Sequence, residues 1–292
     1  MVKFIIVSHQ RSGSAFFTTL LNSSPGIHCL RECFLLKEMS PAPEYTFVHF
    51  LTRYLPPNIH DIFQLTPAEQ NSLFKQHIES YLENIFAERP GIEGIGFKFM
   101  YDQIKRFPMA LRWMEKNEVY VIHLIRKNTL KTILSWLTRM ERGFPHSTAP
   151  VSQVKVKVDC KTLKDELHFT GDCIEKNRKD FSSQPHYLEV FYEDLVQFQE
   201  RELLRIGSFL GIGYLGQLKS DLVKLNSDSI KDIVKNYDEL EFTLKDTPFY
   251  PLLQDDILIS RESSGKKMSE SLNDLSVKQR ELLTRRLRKK RR

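Results

Sequence analysis

Short, largely apolar runs alternate along the chain with amphipathic stretches. Lys3–Ser8 (KFIIVS) is β-branched and continuously apolar, which suits a strand buried on both faces of a parallel sheet. Gly94–Met100 (GIGFKFM), Val119–Ile125 (VYVIHLI) and His186–Phe191 (HYLEVF) repeat the pattern and predict three further strands. After the first strand, Ala15–Leu21 sets Phe16 over Leu20 and Phe17 over Leu21, the i,i+4 spacing of a helix. Ser14 is its expected N-cap, and Pro25-Gly26 closes the unit. Thr66-Pro67-Ala68-Glu69 offers a cap, a proline at the first helical position and a capping-box glutamate. Asn128 or Thr129 would cap a helix whose apolar face is Leu130, Ile133, Leu134 and Leu137. Glu200–Leu210 reads as a helix closed by Gly211. Strands alternating with helices predict an α/β fold with a central, mainly parallel sheet flanked by helices. Residues 40–95 read as mostly helical, and the polar stretch 141–160 as a loop near a site.

The 292 residues suffice for one large domain, placed at 1–253, with 254–292 as a linker and tail. A net charge of +6 invites a polyanion partner. Position changes that picture. The last eight residues, RRLRKKRR, hold seven positive charges and no acid; taking those seven from +6 leaves −1 for residues 1–284. The tail is a candidate contact for an anionic membrane or nucleic acid, and equally an ordinary solvated charged segment. No apolar run approaches the ~18 residues of a membrane span. The run Phe4–Val7 falls short of the about 7–15 residues of a signal peptide's apolar core. Four cysteines (Cys29, Cys33, Cys160, Cys173) are too sparse for a disulfide scaffold, so a reducing, cytoplasmic setting is expected.

The first strand runs into His9-Gln10-Arg11-Ser12-Gly13-Ser14 and then a helix. Such a junction aims free N–H groups and the positive end of the helix dipole at one place, in a P-loop-like arrangement. Arg11 adds charge, Ser12 and Ser14 add hydroxyls, and Gly13 allows close approach. The Walker pattern GxxxxGK[ST] is absent, lacking its lysine and first glycine, which weakens a kinase-type phosphotransferase reading. A serine-capped helix after any strand accounts for the loop equally well. A second element favours anion binding: strand VYVIHLI ends in Arg126-Lys127-Asn128, and Ser135 follows on the next helix. Cations at the carboxyl end of a parallel strand lie on the rim where open α/β sheets bind ligands.

VSHQRSGSAFF resembles the 5′-phosphosulfate loop of sulfotransferases, and IHLIRKNTLKTILSW resembles their 3′-phosphate motif. Further similarity lies in Gly96–Met100, in Tyr192-Glu193-Asp194-Leu195 and in Asn236–Leu240, and the whole resembles the branch of nodulation-factor and trehalose sulfotransferases over about residues 3–253. Two departures stand out: Lys127 precedes Asn128 where many members have arginine, and Arg11 stands where cytosolic aryl sulfotransferases have lysine.

The resemblance implies 3′-phosphoadenosine 5′-phosphosulfate (PAPS) as co-substrate, with 3′-phosphoadenosine 5′-phosphate (PAP) as product and no metal. Arg11, Ser12, Gly13, Ser14 and Ala15 would cradle the phosphosulfate, and Arg126 or Lys127 with Ser135 would hold the 3′-phosphate. Glu32 matches the branch's general base, with Arg11 as catalytic cation; without the resemblance Glu32 reads as a surface residue paired with Arg31 or Lys37. Lys98 would reach donor or acceptor. His9 is a second candidate base. Asn236–Leu240 would start a helix closing the fold over the nucleotide. His28, Cys29 and Cys33 lack the second ligand pair of a zinc site. The acceptor would be a hydroxyl of a sugar, glycolipid or other small molecule, met by segments 40–65 and 141–170.

Overall fold

A computed structural model describes residues 1–36, 43–213, 215, 218–227 and 229–254. The expected linker and basic tail, from residue 255 on, lie outside the described residues. Five strands form one sheet: β1 (Val2–Ser8), β2 (Ile27–Glu32), β3 (Gly94–Met100), β4 (Tyr120–Ile125) and β5 (Tyr187–Phe191). Their order is β2-β3-β1-β4-β5, and every pairing is parallel.

The continuous apolar runs have the cause the sequence suggests. Phe4 and Ile6 face one apolar cluster, Ile5 and Val7 the other, so β1 is covered on both sides. On one side, the helix Pro67–Ile85 and the helix Pro108–Lys116 pack over Phe34, Phe97 and Phe99. Phe34 alone lies 5.0 Å, centroid to centroid, from both Phe99 and Phe107. Burying such a ring contributes about 1.5–3 kcal/mol. On the other side lie α1 (Ser14–Asn22) and the helix Gln199–Leu210. The result is three layers. A third apolar cluster, built on Leu130, Ile133 and Leu134, seats the helix Thr129–Arg142 beside the sheet.

Four of the five strands match the expected runs. β2 (IHCLRE) does not, because polar His28, Arg31 and Glu32 break up its apolar residues. The capping box at Thr66 forms as expected, and Gly211 (φ 67°) closes the helix ending at Leu210. Gly13, not Ser14, is the N-cap of α1: the turn holds Gly13 at φ 86°, and Ser14 is already helical and buried.

From β1 the chain crosses to β2 on one side of the sheet, and from β4 to β5 on the other. The crevice at the carboxyl ends of β1 and β4 is therefore the topological switch point, where open α/β sheets bind ligands. No helix among the described residues is long and apolar enough to cross a membrane.

Candidate functional site

The loop after β1 makes two left-handed turns, at Arg11 (φ 65°) and Gly13 (φ 86°). A non-glycine residue there costs about 1–2 kcal/mol. Arg11 is held in place by its side chain: Nε donates to Ser135 Oγ at 3.1 Å and Nη2 to the Pro145 carbonyl at 3.2 Å. Gly13 is obligatory for a second reason. A Cβ there would lie 2.2 Å from Tyr192 Cδ2. Beyond it, the first N–H groups of α1 have no partner within the helix and point the dipole's positive end into the crevice.

Tyr192 opens the helix Tyr192–Gln197 directly after β5. Its ring also seats Arg126, whose guanidinium carbon lies 5.0 Å from the ring centroid. Arg126 Nη1 donates to the carbonyls of Arg11 and Lys131, each at 3.4 Å. Lys127 turns the other way. Its Nζ donates to both carboxylate oxygens of Asp194, at 3.1 and 3.2 Å, and sits 4.5 Å from the Phe191 ring centroid. Buried Glu193 receives the backbone N–H groups of Lys127 (3.0 Å) and Asn128 (3.1 Å). Burial pushes the Glu193 carboxyl up, and those two bonds pull it back. The Tyr192-Glu193-Asp194 segment thus stitches β4 to β5.

A cleft of about 590 Å³ opens at this rim. Arg11, Gly13, Ser14, Ala15, Arg126 and Ser135 line it, as do Glu32 and Lys98. Ser12, which is buried, and Lys127 do not. The rim also holds cations that no motif marked: Arg31, Arg139, Arg142 and Lys224. Seven basic side chains therefore face one acid, Glu32. Their crowding is felt at Arg11, where burial first, then Arg139, Arg126 and Arg142, lower the pKa to about 10. Arg142 donates to Asn226 Oδ1 (2.7 Å) and to the Leu225 carbonyl (2.9 Å), while its buried Nε has no hydrogen-bond partner among the described residues. His146, on the loop after the helix Thr129–Arg142, is held neutral by lost hydration and by Arg11, Lys98, Arg31 and Arg139.

Glu32 stands at the carboxyl end of β2, opposite Lys98 on β3. The β2–β3 register shifts between Leu30 and Glu32, so Arg31 has no partner in the ladder. Glu32 Oε1 accepts from Lys98 Nζ at 3.3 Å, and Oε2 accepts from Gln103 Nε2 at 3.1 Å. Burial lowers the Lys98 pKa, and Glu32 opposes that shift. Gln103 is buried, and its carbonyl accepts the Met100 N–H at 3.1 Å, which fixes which end of the amide meets Glu32. Sequence reasoning missed Gln103, since one glutamine in a short helix carries no motif.

Other expected residues fall elsewhere. His9 Nδ1 donates to the Gln10 carbonyl (2.8 Å), and its ring meets the edge of Tyr101 outside the cleft. Cys29 and Cys33 are buried, which pushes both thiols up to about 12. No group of three or more His, Cys, Asp or Glu among the described residues could hold a metal ion. Asn236 does start a helix, Tyr237–Leu244, but it clamps the Val158 backbone in the third apolar cluster and lines no part of the cleft. Gly143, Pro145 and His146 bring the 141–170 segment to the cleft; the described part of 40–65 does not reach it, because Phe47, Phe50, Leu51 and Ile62 are buried in the first core.

A family model described as "Sulfotransferase family" matches residues 4–215. No curated protein matches. Among solved structures, the chain is similar to the mouse sulfotransferase SULT7A1 complexed with PAP, at 14% identity and a TM-score of 0.40, covering 84% of this chain and 62% of that one. It is similar to the sulfotransferase domain of the Synechococcus PCC 7002 olefin synthase, at 17% identity and a TM-score of 0.45, covering 90% and 94%. A sulfotransferase from Alicyclobacillus acidocaldarius gives 11% identity and a TM-score of 0.44, covering 89% and 99%.

Proposed function

The chain belongs to the sulfotransferase family, and from that footing we propose that it moves a sulfuryl group from PAPS to a hydroxyl of a carbohydrate, glycolipid or other small molecule. Glu32 is the general base. A cytoplasmic setting is part of the proposal. The observation that carries it is the donor-rich cleft at the switch point, where seven cations and a helix N-terminus surround one carboxylate.

The residues suit a polyanionic nucleotide on three counts. The turn at Gly13 leaves a concavity that a Cβ could not share with Tyr192. Arg142 Nε is a buried donor without a partner among the described residues. The charged groups lining the crevice are cations apart from one acid, Glu32, which is already paired with Lys98. Arg11, Gly13, Ser14 and Ala15, which line the cleft, would hold the phosphosulfate end, with buried Ser12 supporting the turn from behind. Arg126 and Ser135 would hold the 3′-phosphate, with Lys127 tied to Asp194 instead. When bound, PAPS supplies an activated sulfuryl group on a good leaving group.

The protein's work is then mostly positioning and charge stabilisation. Arg11, which lines the cleft, would stabilise the negative charge that grows on the phosphosulfate bridge. Glu32 takes the acceptor's hydroxyl proton on a carboxylate oxygen. Lys98 and Gln103 each occupy one lone pair of that carboxylate and leave others toward the cleft. Lys98 Nζ, beside Glu32 in the same cleft, would add positive charge for the transferred oxygens.

A thermal-shift series with PAP, ADP and ATP tests the reading. A ligand at 100 times its Kd stabilises by about 2.7 kcal/mol. PAP is expected to outrank ADP and ATP; equal shifts, or none with PAP, would overturn the assignment.

A further inference from the structure

We propose that the acceptor carries its own negative charge beside the hydroxyl it offers, a carboxylate or an ester-linked phosphate or sulfate, and that Arg31 and Arg139 receive it. The inference rests on the sulfotransferase reading of this cleft and names the class of acceptor.

The first ground is the shift in β2. In a regular strand, neighbours point to opposite faces, so Arg31 and Glu32 could not both face one cleft. The irregularity between Leu30 and Glu32 takes Arg31 out of the ladder, and both residues line the cleft. Bulges next to sites re-aim side chains in this way. A cation is thereby set directly beside the base.

The second ground is the opposite wall. Arg139 lies one helical turn beyond Ser135 on the helix Thr129–Arg142 and also lines the cleft. Arg31, Arg139, Lys98 and Arg11 all line the one cleft that Glu32 lines, and their charges are felt together at His146. Among the described residues, neither the Arg31 nor the Arg139 side chain has a hydrogen-bond or ion-pair partner. Lys98 already has Glu32, and Arg11 has Ser135 and Pro145.

The third ground is the charge balance. Seven cations against Glu32 give the lining a net +6. A 3′-phosphate brings about −2 and a phosphosulfate bridge about −2. Arg31 and Arg139 are cations of that lining to which the donor reading gives no role. A lone solvated arginine would signify nothing; two on facing walls, beside the base and beyond the donor's need, fit an anion on the acceptor.

Matched acceptors test this with PAPS and the full-length protein: D-glucuronic acid against D-glucose, and 4-hydroxybenzoate against 4-hydroxybenzamide, with sulfated product read by mass spectrometry. In a pair that turns over, the anionic member is expected to show kcat/KM about 10-fold or more above its neutral partner. Arg31→Ala should abolish that advantage through KM, leave PAP affinity at the parent value, and be partly rescued by Arg31→Lys. A neutral member that equals or beats its anionic partner would overturn the proposal. So would an advantage that survives Arg31→Ala, or no product from either anionic compound in protein that binds PAP. Arg139→Ala should likewise raise acceptor KM; a loss of PAP affinity with acceptor KM unmoved would assign Arg139 to the donor and remove the two-arginine site. Failure of the sulfotransferase reading itself would appear separately, as no preference for PAP over ADP.

Discussion

Gly13→Ala probes the point where the phosphate loop, the β5 end and Arg126 meet. Two separate costs can be worked out. Gly13 sits at φ 86°, and an alanine held there loses about 1–2 kcal/mol relative to a relaxed backbone. The new Cβ would stand 2.2 Å from Tyr192 Cδ2 and 2.4 Å from Cε2, where carbon contacts want about 3.5–4.0 Å, so the ring must move by more than ~1 Å. Forcing a methyl into a packed site costs about 1–3 kcal/mol. The sum is about 2–5 kcal/mol. Displacing Tyr192 also unseats Arg126, so PAP affinity should fall as well. Gly211→Ala is the control: φ is 67° and nothing lies within 4 Å of its Cβ, leaving only the conformational cost, about 1–2 kcal/mol. Urea denaturation of both variants gives the stabilities, and a PAP titration gives the affinity. A Gly13→Ala loss no greater than that of Gly211→Ala, or an unchanged PAP affinity, would refute the packing argument.

Four further outcomes are expected. Arg126→Ala should weaken PAP roughly 10- to 100-fold by calorimetry, whereas Lys127→Ala should leave PAP affinity alone and lower stability by about 1–3 kcal/mol through the uncompensated Asp194. Glu32→Gln should bind PAP normally and lose turnover by about 10²–10⁴, and Gln103→Leu should lower kcat with little change in acceptor KM, because it frees the carboxylate to swing; normal kcat in either variant would move the base or its support elsewhere. His123 is buried between the hydroxyls of Tyr101 and Tyr187, with Glu189 and Arg178 beyond; burial, helped by Arg178 and opposed by Glu189, lowers its pKa to about 4. The unfolded chain binds this proton first, so the stability held above about pH 6.5 should drain away between pH 6.5 and 4, by about 3 kcal/mol in all, and His123→Gln should flatten that stretch of a denaturation series. Deleting residues 285–292 should leave PAP affinity and turnover unchanged while removing any retention on anionic vesicles or nucleic acid.

The strands buried on both faces were legible because their neighbours demand apolar runs, unbroken in Phe4–Val7 and interrupted in Val121–Ile125 by buried His123 alone. β2 was not, since His28 and Arg31 break up its apolar residues. That Arg11, Gly13, Ser14, Ala15, Arg126 and Ser135 share one crevice was readable, because their spacing from a strand end is local; that Ser12 turns away from it was not. Which of Arg126 and Lys127 faces the crevice was not readable. That choice depends on Asp194, far along the chain, which draws the lysine away. Arg139, Arg142 and Lys224 look like solvated charges in sequence, and only the third apolar cluster, by seating their helix beside the sheet, turns two of them inward. Gln103 was silent for the same reason: its meaning comes from Glu32, seventy-one positions away.

The stitching of β4 to β5 by Glu193 and Asp194 bears on how such a protein can diversify. The groups proposed for the donor ride on strand ends locked to one another by backbone bonds and a shared tyrosine ring. The side proposed for the acceptor draws on the edge strand β2 and on His146. Substitutions at Arg31, Leu35 or His146 can therefore drift without disturbing the β4–β5 rim. Lineages built on this scaffold could exchange one hydroxyl compound for another while keeping the same nucleotide.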